Sequence, residues 1–94
     1  MKVVWTDPAE EDRERIVFFI AQDNPLAAVE MDELFTEAAD SLASLSLRGR
    51  LGRVSDTREL IVHKNYILVY AYDETADVVY IKATLHASQQ WPLD

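Results

Sequence analysis

Arginines and glycines alternate in one short segment of the chain, and this pattern could bind an anion. Arg48, Arg50 and Arg53 flank the two glycines of the sequence, Gly49 and Gly52. Guanidinium and backbone N–H groups held close together suit a phosphate or a carboxylate. The segment lacks the glycine spacing and the Lys-Ser/Thr ending of a nucleotide-hydrolase phosphate loop. A solvated loop that offsets acidic charge elsewhere is an equally good interpretation.

Arg58 and His86 are two further candidates for chemistry. Arg58 opens a strand-like run, and it cannot pair with Glu59 because neighbouring strand residues point to opposite faces. His86 follows the last strand-like run, where an imidazole can act as a general acid or base near neutral pH. A polar residue that simply ends a strand is the alternative interpretation of His86. His63 lies in a turn, and we expect it to be structural.

The remaining composition excludes several classes of site. The chain has no cysteine, which removes disulfides, Cys-ligated metals and thiol catalysis, and its two histidines offer little to hold a metal ion. We therefore predict no metal and no cofactor.

Tyr66, Tyr70 and Tyr72 share parity and should face one side of a sheet. Such rings can stack bases, but the acidity of the chain favours core packing and a partner interface.

The charge of the chain argues against avid nucleic-acid binding. The formal net charge is −8, and residues 1–46 carry all of it, with eleven acids and three bases. Residues 47–94 hold six of each. Because binding to phosphates requires lysines and arginines that displace counterions, we expect no direct DNA binding by this chain alone. The acidic half and the locally basic segment predict two surfaces with different partners.

The length and hydropathy place the chain among small folded domains. Its 94 residues, 49% apolar and 28% charged, predict a single domain over residues 1–94. The apolar runs are far shorter than the roughly 20 residues that cross a bilayer. The N-terminus turns polar too early for a signal peptide. We predict a soluble, cytoplasmic protein with no membrane partner.

The first half of the chain predicts a strand followed by a helical hairpin. Lys2–Trp5 is short, apolar and β-branched, as in a strand. Asp7, followed by a proline, can cap a helix that runs to about Gln22. Asn24, followed by another proline, repeats this start for a second helix. Spacings of three and four predict one buried stripe on the second helix: Ala27, Met31, Leu34, Phe35, Ala38, Leu42 and Leu45.

The second half predicts an antiparallel meander, because short links join its strand-like runs Arg58–Val62, Tyr66–Tyr72 and Val78–Leu85. The predicted class is α+β in the order βααβββ, with both helices packed on one face of the sheet. The chain offers nothing obvious to cover the other face, where we expect cationic residues and a partner. Four apolar residues of the last strand should lie together under the helices: Val79, Ile81, Ala83 and Leu85.

Several fragments, taken in order, identify a family. Trp5 closes the first strand, Asp23-Asn24-Pro25 joins the helices, and His86 is followed by Gln90-Trp91-Pro92. Between them lie Gly49-Arg50-Leu51-Gly52-Arg53-Val54, Thr57-Arg58-Glu59-Leu60-Ile61-Val62 and Asn65-Tyr66-Ile67-Leu68-Val69-Tyr70. Over nearly its whole length, the chain resembles the RelE/ParE superfamily, the toxins of type II toxin–antitoxin modules.

The resemblance implies a bacterial toxin, often plasmid-linked, that is neutralised by a small antitoxin with a DNA-binding N-terminal half. RelE-like members cut messenger RNA in the ribosome, and Arg58 and His86 match an arginine and a histidine of that branch. ParE-like members lack the nuclease set and poison DNA gyrase. The long second helix and the Gly-Arg-x-Gly segment resemble the ParE-like branch. Gln89 and Gln90 stand where basic residues are common in the family.

From this resemblance we predict a ParE-like toxin, not an enzyme, that arrests growth by inhibiting DNA gyrase through protein–protein binding. The alternatives are a metal-free, ribosome-dependent endoribonuclease with Arg58 and His86 as catalytic residues, and an inactive antitoxin-binding remnant. Candidate antitoxin contacts are Tyr80 and Lys82. Candidate target contacts are Arg48, Arg50, Arg53, Arg58, His86 and Trp91.

Overall fold

The computed structural model describes residues 1–92, and its elements follow the predicted order of a strand, two helices and a meander. They are β1 (Lys2–Trp5), α1 (Asp7–Asp23), α2 (Pro25–Ser41), β2 (Arg50–Leu51), β3 (Arg58–His63), β4 (Tyr66–Asp73) and β5 (Val78–His86). The α+β class is confirmed, and the two-residue strand β2 is an addition to the prediction. Among the described helices, none combines the length and apolar character needed to cross a bilayer.

The five strands form one sheet in the order β1-β5-β4-β3-β2. β1 lies parallel to β5, and the other neighbouring pairs are antiparallel. α1 packs against β5 and α2 against β3, so the hairpin covers one face of the sheet, as predicted. We call this the helix face and the opposite one the outer face. The central strand β4 is buried over residues 67–70, as its unbroken apolar sequence predicts.

The two helices begin at side-chain caps. Asn24 Oδ1 accepts from the N–H of Ala27 at 3.0 Å, as predicted for α2. The predicted cap of α1 is wrong by one residue, because Thr6 and not Asp7 takes that position. Thr6 Oγ1 accepts from Ala9 and donates to the carbonyl of Ile81 at 2.6 Å, which also fixes the start of α1 on β5. Asp7 lies in the first turn, where its negative charge interacts favourably with the positive end of the helix dipole.

The buried stripe of α2 differs from the predicted one. Leu34 stays 38% exposed and Leu45 56% exposed. The helix ends at Ser41, so Leu45 cannot continue its periodicity. Ala28 and Ala39, which the predicted stripe omits, are buried instead. The buried stripe is therefore rotated by about one residue. The buried residues of this region are Ala28, Met31, Phe35, Ala39 and Leu42.

A β-bulge divides β5 into two parts that use opposite faces. Val69 pairs with Ala83 while the next residue, Tyr70, pairs with Ile81, so Lys82 is an extra residue. Val79 and Ile81 therefore lie under the helices, whereas Ala83 and Leu85 belong to a second cluster on the outer face. The prediction that all four share the helix face is wrong, because the extra residue shifts the two-residue repeat.

Candidate functional site

The arginine-rich segment folds around one buried carboxylate on the outer face. Glu59 of β3 is 3% exposed. Its Oε2 accepts from Arg53 Nε at 2.9 Å and from the Arg53 backbone N–H at 3.0 Å, and its Oε1 accepts from Arg53 Nη2 at 3.1 Å. Arg50 Nη2 adds a longer bond at 3.3 Å. The register of β2 against β3 places Arg50 directly opposite Glu59.

These contacts set the ionisation of the cluster. The hydrogen bonds from Arg53 lower the pKa of Glu59 from 4.5 to about 2, against the opposing effect of burial. The same bonds raise the pKa of Arg53. A carboxylate that accepts three bonds from one arginine holds that guanidinium in a fixed position. Arg50 and Arg53 are therefore part of the framework of the segment, although the sequence nominates them as ligands for an external anion.

Tyr70 fixes the other end of the segment. Its hydroxyl accepts from the N–H of Gly49 at 2.9 Å and donates to the carbonyl of Ser46 at 2.6 Å. Burial raises the pKa of this phenol. A Cβ atom at residue 49 would lie 2.7 Å from the Tyr70 ring and 2.9 Å from the carbonyl of Glu59, so only glycine fits there. Tyr70 shares the helix face with Tyr66 and Tyr72, as their parity predicts.

Replacing Tyr70 with phenylalanine should lower the free energy of unfolding by about 2 kcal/mol, because a buried N–H and a carbonyl lose their shared partner. Urea unfolding followed by circular dichroism measures this. Tyr72→Phe is the matched control, since the Tyr72 hydroxyl makes no hydrogen bond within residues 1–92. Equal losses in the two variants would show that the Tyr70 hydroxyl does not hold the segment.

Arg48 and Arg58 bond to neutral acceptors. Arg48 Nη1 donates to Ser41 Oγ at 2.8 Å, and Arg58 Nη1 donates to the carbonyl of Gly49 at 2.8 Å. Within the described residues, neither guanidinium has an acidic partner closer than 4 Å. These two arginines, unlike Arg50 and Arg53, keep an uncompensated charge that an external group could meet.

His86 ends β5 with its ring held by Ser88. The backbone N–H of Ser88 lies 3.1 Å from Nδ1, and Ser88 Oγ lies 2.7 Å from the same atom. A backbone N–H can only donate, so this geometry assigns Nδ1 as the acceptor and places the ring proton on Nε2. The ring meets Tyr66 edge-on, with centroids 5.4 Å apart. His86 therefore presents an N–H donor on its exposed side.

The structure does not gather the cationic candidates on one face. Arg58 lies opposite Tyr70, and His86 lies opposite Tyr66. These two positions of β4 are four residues apart. This separation amounts to about 13 Å along the strand. Both residues lie on the helix face, whereas Arg50 lies with Glu59 on the outer face. The expectation of a shared cationic surface on the outer face is therefore wrong.

The chain itself covers part of the outer face, which corrects the prediction that nothing does. Trp91 packs on a small cluster formed by Val69, Ala83 and Leu85. Arg53 Nη1 donates to the carbonyl of Gln89 at 3.3 Å and so ties the arginine segment to the chain after β5. Sequence periodicity gave no sign of this cover, because the residues after His86 have no regular repeat.

The candidate antitoxin contacts lie at the bulged part of β5. Tyr80 is half-buried on the outer face, between Val4 of β1 and Ala71 of β4. Lys82 is the exposed extra residue of the bulge. These two side chains are accessible to a partner that approaches the outer face near β1.

Arg13 is an important residue that the sequence analysis missed. Its guanidinium donates to Asp32 Oδ1 at 2.8 Å, to the Asp32 carbonyl at 2.9 Å and to Thr36 Oγ1 at 2.6 Å. It also stacks over Trp5, 4.7 Å from the ring centroid. The available signal was a pair of arginines, Arg13 and Arg15, among the acidic residues of α1. Arg13 joins β1, α1 and α2.

A cleft of about 310 Å³ opens between α1 and the ends of β4 and β5. We call it the α1–β5 cleft, and six of its lining residues are Asp12, Arg15, Phe19, Tyr66, His86 and Gln89. Of the predicted catalytic, target-binding and antitoxin-binding candidates, which all lie within residues 1–92, His86 alone lines it, and Tyr66 of the tyrosine set joins it there. Among the described residues, no group of His, Asp and Glu side chains is arranged to hold a metal ion.

Known proteins similar to this chain define its family. Residues 3–91 match the family described as the ParE toxin of the type II toxin–antitoxin system parDE. The Y4kP protein of Sinorhizobium fredii is 33% identical over 92 residues, which cover 97% of this chain and 93% of that protein. Toxin RelE2 of Caulobacter vibrioides is 39% identical over 88 residues, which cover 94% and 97%. The chain therefore belongs to the ParE toxin family of type II toxin–antitoxin systems.

Two solved structures share the fold. The chromosomal ParDE toxin–antitoxin system of P. aeruginosa aligns with a TM-score of 0.81 at 18% identity, over 92% of this chain and 95% of that one. The RelBE2 toxin–antitoxin complex of Mycobacterium tuberculosis aligns with a TM-score of 0.63 at 22% identity, over 94% and 92%. The likeness to both confirms the predicted superfamily fold.

Proposed function

We propose that this toxin arrests growth by binding DNA gyrase, without catalysis of its own. The observation that carries the proposal is the internal use of the arginine segment. Arg53 and Arg50 contact Glu59, and Arg53 also contacts the chain after β5. A protein that binds ribosomal RNA needs many lysine and arginine side chains that are available to contact phosphates. This chain offers few and has a net charge of −8, which suits a protein target better than RNA.

The positions of Arg58 and His86 also favour a binding toxin over a nuclease. Metal-free RNA cleavage needs an acid–base group and a cation at the same phosphate. Arg58 and His86 are about 13 Å apart along β4 by strand geometry. His86 Nδ1 accepts from Ser88, so the free ring nitrogen carries a proton and cannot act as a base in this state.

The gyrase proposal predicts that micromolar toxin blocks supercoiling of a relaxed plasmid by purified gyrase and ATP. A gel assay of plasmid topology measures the effect. Toxin unfolded by heat and cooled in the same buffer controls for buffer effects. Growth arrest in cells without any effect on supercoiling would contradict gyrase as the target.

Ribosome-dependent cleavage of messenger RNA is the second candidate, favoured by the 39% identity to a protein named toxin RelE2. In that case primer extension on translated transcripts would show new 5′ ends after induction. His86→Gln would then abolish them, while Lys64→Gln, in the exposed β3–β4 turn and outside the α1–β5 cleft, would not. An inactive remnant would cause no growth arrest at all when expressed alone.

We also propose a cognate antitoxin as the neutralising partner. Both structural neighbours are described as toxin–antitoxin systems. Tyr80 and Lys82 are the proposed contacts, since both are accessible near the edge strand β1. Co-expression with the product of an adjacent short reading frame should restore growth. Lys82→Glu should weaken the copurification of the pair, with Lys64→Glu in the β3–β4 turn as the control.

A further inference from the structure

The α1–β5 cleft combines ring surfaces with hydrogen-bond donors. Phe19 of α1 is 76% exposed at its rim. Tyr66 and His86 supply two more rings, which meet edge-on with centroids 5.4 Å apart. Ile16 adds apolar surface. An exposed phenylalanine beside a recess of about 310 Å³ is suited to contact an inserted apolar side chain.

The polar groups of the cleft are donors rather than free acceptors. Asp12, the one carboxylate among the described residues that line the cleft, is already occupied, because its Oδ1 accepts from Arg15 at 2.8 Å and its Oδ2 accepts from the N–H of Thr84 at 3.1 Å. Arg15 contributes a single nitrogen to that pair and is 70% exposed. Its other N–H groups make no hydrogen bond within residues 1–92.

Two further donors line the same recess. His86 offers Nε2–H, since its Nδ1 accepts from Ser88. The side-chain oxygen of Gln89 accepts from the N–H of His86 at 3.4 Å, which leaves the amide NH₂ available. The cleft thus presents N–H groups and rings to whatever enters it. The complementary ligand carries an apolar body next to a carboxylate or exposed carbonyl groups.

We propose that the α1–β5 cleft is the surface through which the toxin holds its protein target, an inference that rests on the proposed function. Its occupant is a loop of the target with an aromatic or aliphatic side chain beside a carboxylate. The apolar side chain lies against Phe19 and Tyr66. The carboxylate pairs with Arg15 and accepts from His86 Nε2–H.

Phe18 and Phe19 provide a matched test. They are adjacent in α1 and similarly exposed, at 70% and 76%, but only Phe19 lines the cleft. Phe19→Ala should raise the toxin concentration for half-inhibition of gyrase supercoiling at least tenfold and restore colony formation after induction. Phe18→Ala should leave both unchanged. Equal unfolding midpoints in urea would show that both variants are folded.

The charge of the occupant is tested in the same two assays. Arg15→Gln should weaken inhibition about threefold to tenfold, whereas Lys64→Gln, in the exposed β3–β4 turn and outside the cleft, should not. If Phe19→Ala remains as toxic as the parent, or if both phenylalanine variants lose toxicity alike, the inference is overturned. If the parent arrests growth without affecting gyrase, the gyrase proposal fails, and the colony counts still decide whether the cleft is used. A parent chain without toxicity contradicts both.

Discussion

Replacing Arg53 with methionine should lower the free energy of unfolding at pH 7 by about 2–3 kcal/mol. The variant leaves the carboxylate of Glu59 buried, with only the longer bond from Arg50 and the backbone N–H of residue 53. Removing one partner of a buried ion pair is costly because the other charge stays desolvated. We expect a smaller loss than for a fully buried ion pair, since the Arg53 side chain is itself 34% exposed.

Arg50→Met is the control, because its contact with Glu59 is 3.3 Å long and its side chain is 56% exposed. We expect a loss below about 1 kcal/mol there. Urea unfolding of both variants measures the difference. Equal losses would show that the two arginines hold the segment equally.

The pH dependence of unfolding tests the same cluster. The folded-state pKa of Glu59, about 2, lies below its ordinary 4.5. The stabilisation by this carboxylate is therefore complete above pH 4.5 and is lost as the pH falls toward 2. In Glu59→Gln this portion of the acid sensitivity should be absent, and the cost of Arg53→Met should shrink in acid. A cost that is constant from pH 7 to pH 3 would contradict this account.

Replacing Arg13 with methionine should cost about 2–4 kcal/mol of unfolding free energy. The change removes three hydrogen bonds and the contact of the guanidinium with Trp5, while the apolar stem is kept. Asp32 is half-exposed and can be hydrated, which limits the loss. Because Arg13 joins α1 to α2 and β1, the helical hairpin should also exchange its amide hydrogens faster.

Arg15→Met, two residues away, is the matched control for stability. Arg15 makes one bond, to Asp12 three residues earlier in the same helix, and is 70% exposed. Such surface pairs contribute about 0.5 kcal/mol. Thermal and urea unfolding of the two variants should differ clearly. A similar loss in both would mean that charge alone, and not the buried geometry of Arg13, stabilises the hairpin.

Regular periodicity made most of the fold predictable from the sequence. The bounds of β1 agree with the prediction, and those of β3, β4 and β5 agree to within one residue. Apolar residues recur at every second position in a strand and at every third or fourth position in a helix, so the two kinds of element can be told apart. Asn24 and Pro25 mark the junction between the two helices. The parallel pairing of β1 with β5 was beyond reach, because it joins the two ends of the chain.

The candidate site was much less predictable, for a physical reason. Whether Arg50 and Arg53 are free or bound depends on the register of a two-residue strand against β3, which no repeat in the sequence specifies. The α1–β5 cleft depends on side chains from three elements. Arg15 and Phe19 look like ordinary surface residues in the sequence, and they become notable only beside Tyr66 and His86.

The extra residue of β5 bears on how related sequences should be aligned. If Lys82 were deleted, Ile81 would still point to the helices, Ala83 to the outer face and Thr84 to the helices, now in an unbroken alternation. Homologues that are one residue shorter at this place therefore need no compensating change in either apolar cluster. A single-residue gap there is compatible with the same architecture. A gap elsewhere in the strand would move the residues on one side of the gap to the opposite face of the sheet.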